Sequence, residues 1–234
     1  MASFDILALL RADLWQALWL TIRLASLTTL LLILLGIPLA YWLVHSRSRF
    51  GALIETLVSL PIVLPPTVIG FYLLIALSPQ HTLGRTWFDA TGSSLAFSFS
   101  GLVIGSIIYS LPFAVQPFMQ GFKSVRSEFV EAAASLGANA RQRFWTILLP
   151  ESRSAIAAGA TLSFAHTIGE FGVVLMIGGN IAGETRVASI ALYDETQKLD
   201  YASAHAYAVV LLVLSFALLL AITLLQRRSK LHTF

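Results

Sequence analysis

Cysteine is absent from the 234 residues, which excludes disulfide frameworks, thiolate metal sites, iron–sulfur clusters and thiol nucleophiles. Charge is scarce as well. Only 12% of residues are Asp, Glu, Lys or Arg, against roughly 25% in an ordinary soluble domain, and that is too little to cover a soluble globule of this size. No repeat with a period of roughly 20–50 residues is visible, and no low-complexity linker marks a second domain. The histidines His45, His81, His166, His205 and His232 are scattered, without H-E-x-x-H or a paired-carboxylate motif, so neither a metal site nor a cofactor is expected. What is abundant is apolar. Hydrophobic residues make up 57% and the mean hydropathy is +0.80, the composition of a polytopic membrane protein.

The longest stretches free of Asp, Glu, Lys and Arg are 24–46, 56–84, 90–122, 154–169 and 201–226. A helix crossing the hydrocarbon core needs about 20 apolar residues. Four stretches clear that length, and 154–169 continues through Glu170 to 183. At about 1.5 Å per residue, 154–183 as one straight helix would overrun the core, and Gly169, Gly172, Gly178 and Gly179 allow a break there. The expectation is an all-α integral membrane protein with five spans at 18–44, 54–78, 97–121, 152–172 and 203–226. Whether 171–183 is a loop, a broken helix or a re-entrant segment stays open at this point. The first stretch is too long for a secretory h-region of about 7–15 residues, so no cleaved leader is expected. Trp15 and Trp19 read as interfacial anchors.

Basic residues orient the spans. Arg47, Arg49, Lys123, Arg126, Arg141, Arg143, Arg153, Arg227, Arg228 and Lys230 fall on one side of a five-span arrangement, and the positive-inside rule makes that side the cytoplasm. The other side carries Arg11, Arg85, Arg186 and Lys198 amid Asp5, Asp13, Asp89, Glu184, Asp194, Glu195 and Asp200. The N-terminus is therefore expected outside and the C-terminus inside. The pI of about 9.4 is then topological, and nucleic acid is not an expected partner.

The cytoplasmic segment 123–150 is too polar to span and too rich in Ala, Glu and Leu to be structureless. A short helix is expected over 128–136, with Ser127 as N-cap and acids in the first turn. Gly137 should close it, since glycine takes left-handed backbone geometry without steric penalty. A second short helix should lead through Ile147 and Leu149 to Pro150. Val130, Ala133, Ala134 and Gly137 share a face by helical spacing; that small-sided face suits close approach by another protein, or the segment is a connector lying on the membrane.

Glu131-Ala132-Ala133, then Gly137, then Ile147, Leu149 and Pro150 resembles the EAA loop of ABC importer permeases. The segments Leu60-Pro-Ile-Val-Leu-Pro-Pro-Thr-Val-Ile-Gly70, Ser163-Phe-Ala-His-Thr-Ile-Gly-Glu-Phe-Gly172 and Gly179-Asn-Ile-Ala-Gly-Glu-Thr-Arg186 resemble molybdate-type permeases, a likeness that runs over most of 14–226. Ala182 departs from the pattern, which has proline there. The resemblance implies a type I ABC importer permease fold whose segment 123–150 is a coupling helix seated in a separate ATPase subunit. It assigns that contact to Glu131, Ala132, Ala133, Leu136, Gly137, Ile147, Leu149 and Pro150. It further implies a homodimer in a bacterial cytoplasmic membrane, two ABC ATPase subunits, and a periplasmic or extracellular oxyanion-binding protein meeting the outer loop at Asn180, Glu184 and Arg186. Molybdate leads as substrate, with tungstate, sulfate and thiosulfate as alternatives.

Gly178 to Thr185 nearly matches G-x-x-x-x-G-K-[ST], but Glu184 stands where a phosphate needs lysine, so the chain is not expected to hydrolyse ATP itself. Pro61, Pro65 and Pro66 predict a kink in the second span, either structural or lining the route. Ionisable groups at membrane depth are functional candidates: Arg23, His166 and Glu170. If their helix is continuous, His166 and Glu170 share a face and can pair; Glu170 could equally pair with Arg23 or free backbone amides. Ser163 and Thr167 offer neutral hydroxyls to an anion, or ordinary interhelical hydrogen bonds. An ATP-independent secondary transporter is the rival class, but its usual inverted repeats and coupling charges are not seen; a membrane enzyme is a further alternative.

Overall fold

A computed structural model describes residues 12–231; Asp5, Arg11 and His232, with both chain ends, lie outside them. Among the described residues there is no strand. The helices are α1 (Ala12–His45), α2 (Arg49–Ser59), α3 (Pro66–Leu77), α4 (Thr82–Thr91), α5 (Phe99–Ser124), α6 (Ser127–Ser135), α7 (Ala140–Arg143), α8 (Leu149–Glu151), α9 (Arg153–Gly169), α10 (Gly172–Gly178), α11 (Ala188–Gln197) and α12 (Tyr201–Leu231). Three of them, α1, α5 and α12, are long and apolar enough to cross a membrane; the count rises to as many as five if the bent pairs α2–α3 and α9–α10 each form one span.

α5 is the central post. Its N-cap Ser98 accepts the Gly101 N–H at 3.2 Å, satisfying one of the donors that a helix start leaves free. α1 runs parallel to it: Leu20 and Leu24 meet Leu102 and Val103 near one end, Leu32 and Ala40 meet Val115 and Phe118 near the other. α9 runs antiparallel, joined through Ser110–His166, Phe118–Gly159 and Gly121–Ala155. The Phe118 ring is fully buried where these helices meet. A Cβ on Gly159 would stand 2.7 Å from its edge and one on Gly36 of α1 3.2 Å away, so the two glycines make the slot that this ring fills. Such filling of a tight interior by a large side chain contributes a few kcal/mol, about 3–5 on Phe→Ala evidence.

The second predicted span is not a kinked rod. Pro61 and the Pro65–Pro66 pair remove three backbone donors within six residues, and the chain turns by 113° between α2 and α3. The fourth breaks where its glycines allow. α9 stops at Gly169, Glu170 and Phe171 are not helical, and α10 leaves at 60°, so the helix is interrupted at 170–171 and 172–178 is helical again before the turn at Gly179. The two corners pack on each other. A Cβ on Gly172 would meet Pro66 Cβ at 2.6 Å, and one on Gly70 would meet Met176 Cβ at 2.7 Å, so small residues let α3 and α10 approach.

Candidate functional site

The first candidate region is α6 with the turn after it. The sequence places the N-cap at Ser127; the structure places it one residue earlier, at Arg126, with no side-chain capping bond. Ser127 is instead the first helical residue. The other end follows expectation. Gly137 has φ +87°, its N–H donates to Ala134 O at 3.0 Å and the Ala138 N–H donates to Ala133 O at 2.9 Å, the bond pair of a Schellman closure. Asn139 then caps α7 reciprocally: its Oδ1 accepts the Gln142 N–H and its own N–H donates to Gln142 Oε1, a capping box that the sequence reading did not identify. Gly137 thus joins two helices whose facing ends are both satisfied.

No residue of α6 is buried. Val130 packs toward the cluster around Phe122 and Leu148, and Ala133 is half-buried. Of the face expected to be presented, Val130 and Ala133 are turned partly inward, because the one branched aliphatic side chain of this helix seeks apolar contact, while Ala134 and Gly137 are exposed. Glu131, Ala132 and Leu136 are exposed as well, Leu136 at 89%. Downstream, a π-helical turn over Phe144–Leu148 leads into α8. Phe144 anchors it edge-on to Tyr41 of α1, with ring centroids 4.9 Å apart. Ile147 and Leu149 are half-buried and Pro150 is exposed.

The second region lies at the break between α9 and α10. A cavity of about 540 Å³ is lined by Pro66, Thr67, Tyr109, His166, Glu170 and Met176 among others. Of the predicted route residues, His166 and Glu170 reach it. Ser163 and Thr167 do not line it: both are buried, Ser163 Oγ donates to Ala160 O at 3.0 Å and Thr167 Oγ1 to Ser163 O at 2.9 Å, and Thr167 Oγ1 also lies 3.0 Å from Ser110 Oγ of α5, an interhelical hydrogen bond. His166 and Glu170 do not pair, since α9 ends between them. The His166 ring is positioned by Ser110 Oγ, 2.9 Å from Nδ1, and by the Phe113 ring stacked at 3.9 Å. Arg23 is not the partner of Glu170 either; its guanidinium lies over the Phe99 ring, 4.5 Å from the centroid. The Glu170 side chain is 4% exposed. The Ser106 hydroxyl lies beside it, yet neither carboxylate oxygen finds a hydrogen bond of acceptable geometry among the described residues. The backbone of Glu170 is held more firmly, because Ser189 Oγ of α11 donates to its carbonyl at 2.6 Å.

The third region is the loop from Gly179 to Val187. Gly179, Asn180 and Gly183 all have positive φ. Thr185, fully buried, donates to Gly178 O at 2.6 Å and accepts the Ile181 N–H. Arg186 Nε donates to Asn180 Oδ1 at 2.6 Å and its terminal nitrogen lies 3.8 Å from Asp194. Asp194 also meets Lys198 at 2.9 Å, and hydrogen bonds from the ammonium to Asp194 and Glu195 raise the Lys198 pKa. Asn180 and Arg186 therefore brace the loop internally, while Glu184 is exposed.

A family model described as "Binding-protein-dependent transport system inner membrane component" matches residues 32–231. The chain belongs to that family. The molybdenum transport system permease protein ModB of Azotobacter vinelandii is 45% identical over 207 residues, covering 88% of this chain and 91% of that protein. The sulfate transport system permease protein CysT of Escherichia coli is 35% identical over 193 residues, covering 82% of this chain and 69% of that one. Among solved structures, a bacterial alginate ABC transporter in complex with a pentasaccharide-bound periplasmic protein superposes with TM-score 0.77 at 19% identity, over 97% of this chain and 83% of the other. At that identity the likeness establishes the fold, that of a type I importer permease. The family chain here is a transport subunit.

The residues that the sequence reading missed are on α5: Ser106, Tyr109, Ser110 and Phe113. None is ionisable near neutrality, so a search for charge at membrane depth passes over them. Their signal is spacing, since 106, 110 and 113 recur every three to four residues, and Ser110 and Phe113 meet His166 of α9.

Proposed function

We propose that this chain is the membrane-embedded permease subunit of an ABC importer for a tetrahedral oxyanion, molybdate in the first place. The observation that carries the reading is α6: a solvent-facing helix without a buried residue, closed at Gly137 by a full set of cap bonds, in a chain of the importer-permease family. Such a helix is built to be gripped from outside. Two separate ATPase subunits dock there, with Glu131, Ala132, Leu136 and Gly137 on the contact face. The molybdenum relative, alike over nine-tenths of its length, supports the substrate.

Five crossings enclose too little room for a hydrophilic route, so two copies related by a twofold axis share one path. The N-terminus lies outside and the C-terminus in the cytoplasm of a bacterial cell, as the distribution of Lys and Arg supports. A binding protein delivers the anion to the outer face, where Glu184 is available for contact. Closure of the ATPases on ATP pushes the paired α6 helices together and turns the route outward; hydrolysis returns it inward. The permease itself hydrolyses nothing. Coupling by ATP, rather than by an ion gradient, follows from the same helix.

The test is assembly and uptake together. This chain should copurify with an ABC ATPase, and cells lacking it should lose molybdenum at limiting molybdate. Uptake that persists without any ATPase would make the chain a secondary transporter. The sulfate permease likeness supports a second substrate reading, favoured if sulfate uptake rather than molybdenum content falls in the deletion.

A further inference from the structure

Below the cavity that holds His166 and Glu170 lies another, toward α6, of about 480 Å³. Its lining includes Glu55, Ser59, Ile62, Phe113, Gln116, Gln120, Lys123 and Leu162. The two linings share no residue, yet the same elements build both in register. α5 gives Tyr109 to the upper and Pro112 onward to the lower; antiparallel α9 gives Ala165 and His166 to the upper and Leu162 to the lower. The α2–α3 corner supplies Thr67 above and Ser59 and Ile62 below. At the boundary, Phe113 belongs to one chamber and His166 to the other, and their rings stack at 3.9 Å, 24° from parallel. Ser110 fixes His166 from behind.

The polar lining of the lower chamber needs an explanation. Gln116, Gln120 and Lys123 are exposed along one side of a membrane-spanning helix, where uncompensated amides facing lipid are unfavourable. Gln116 Nε2 donates to Ser59 Oγ at 3.2 Å, which leaves its second N–H and both N–H groups of Gln120 to point at something else. Amide and hydroxyl donors suit an oxygen-rich anion. The one ammonium, Lys123, stands at the α6 end and is offset by the Glu55 carboxylate in the same lining. A site of amide and hydroxyl donors whose one ammonium is offset by a carboxylate holds an anion weakly, which transport requires, since tight binding would prevent release.

Resting on the permease reading, we propose that Ser59, Gln116, Gln120 and Lys123 form a holding site for the transported tetrahedral oxyanion on the ATPase side of the route. The Phe113 ring, clamped on His166, is the partition that separates it from the outer cavity.

Because the chain has no cysteine, one introduced thiol is the only thiol on it. Ile62→Cys lies in the lower chamber and Thr67→Cys in the upper. The importer, assembled with its ATPase subunits in sealed vesicles without nucleotide, is treated from one face with a charged thiol reagent, and modification is read as a mass shift of this chain. Ile62→Cys should react from the ATPase face and Thr67→Cys from the opposite one. Molybdate at about four times its dissociation constant should slow the Ile62→Cys reaction roughly fivefold, by simple occupancy. Gln116→Leu with Gln120→Leu should remove that protection, and Phe113→Ala should open Ile62→Cys to the opposite face while Phe113→Leu keeps it closed. Equal labelling from both faces with Phe113 intact overturns the partition. Absence of protection by molybdate, tungstate and sulfate alike overturns the holding site, and does so without relying on the leucine variants. ATP-driven uptake by the same vesicles, with binding protein supplied, separates the two levels. Uptake without protection sinks this proposal alone; no oxyanion uptake by the unsubstituted importer sinks the permease reading beneath it.

Discussion

Thr21 and Ala188 are 167 residues apart in sequence and joined by one hydrogen bond: the Thr21 hydroxyl of α1 accepts the Ala188 backbone N–H of α11 at 2.8 Å. The same hydroxyl donates to Ala17 O at 2.7 Å. Both residues are buried, and Ala188 opens its helix with a donor that no turn of that helix can satisfy. α11 in turn holds the corner between α9 and α10, through Ser189 on the Glu170 carbonyl. One hydroxyl on the first helix therefore fixes the element that positions the break in the fourth predicted span.

Thr21→Val keeps the shape and removes the acceptor, stranding the Ala188 N–H. A buried donor left unsatisfied costs about 1–3 kcal/mol, so the melting temperature in detergent should fall, while Thr21→Ser should restore it. A valine variant that melts like the parent would show that the N–H finds another acceptor.

Topology can be read directly. The distribution of basic residues predicts an odd number of crossings, so a reporter after residue 234 should be cytoplasmic and one before Asp5 external; both ends lie outside the described residues. Reporters on the same side would remove one of the bent pairs from the count of spans.

Much of the fold was legible because apolar stretches between charges are long and few. α1, α5 and α12 fall on the predicted stretches 18–44, 97–121 and 203–226. Gly137 was legible too, since only a residue tolerant of positive φ ends a helix in that way. The corners were harder. Three prolines indicate that a helix is interrupted, but not the size of the turn, 113°, nor that Gly172 and Gly70 let α10 pack close to α3, which is a tertiary fact. Pairing of His166 with Glu170 failed for the same reason. Spacing of four residues brings side chains together only on a continuous helix, and the chain leaves the helix at Glu170 to meet Ser189. Stripes such as Ser106–Ser110–Phe113 have no charge to betray them and become visible only when α9 is laid alongside.

The Glu170 carboxyl has the Ser106 hydroxyl beside it but no hydrogen bond of acceptable geometry among the described residues. It is buried, so replacing it with a hydrophobic group of similar length removes a burial penalty and little contact. Glu170→Met should assemble with the ATPase as the parent does and melt no lower. If the carboxyl serves the route, uptake should nonetheless fall at least about tenfold, a loss of about 1.4 kcal/mol in the rate-limiting step. Full uptake at parental stability would show that the carboxyl has no part in the passage of the anion.

The sharpest test of coupling is Gly137. A Cβ built there meets nothing within 4 Å, so a substitution is not excluded by crowding within the subunit. The obstacle is the backbone at φ +87°, where a β-branched residue is a steric outlier and strain of about 1–3 kcal/mol is expected. Gly137→Val should relieve that strain by reopening the bonds to Ala133 and Ala134, which unseats the turn that presents Glu131, Ala132 and Leu136. The change lies outside every predicted span, so insertion and dimer formation should be unaffected. Copurified ATPase per permease should drop, and oxyanion uptake should drop with it. Gly137→Ala, with less bulk at the same φ, should lose less of both, and Gly137→Asn less still, because asparagine tolerates left-handed geometry. Glu131→Ala leaves the turn intact and removes one exposed contact, and should fall between the parent and the valine variant. Uptake and ATPase content that stay at parental levels in Gly137→Val, at equal expression, would mean that α6 is a passive connector and that the ATPase grips the permease elsewhere.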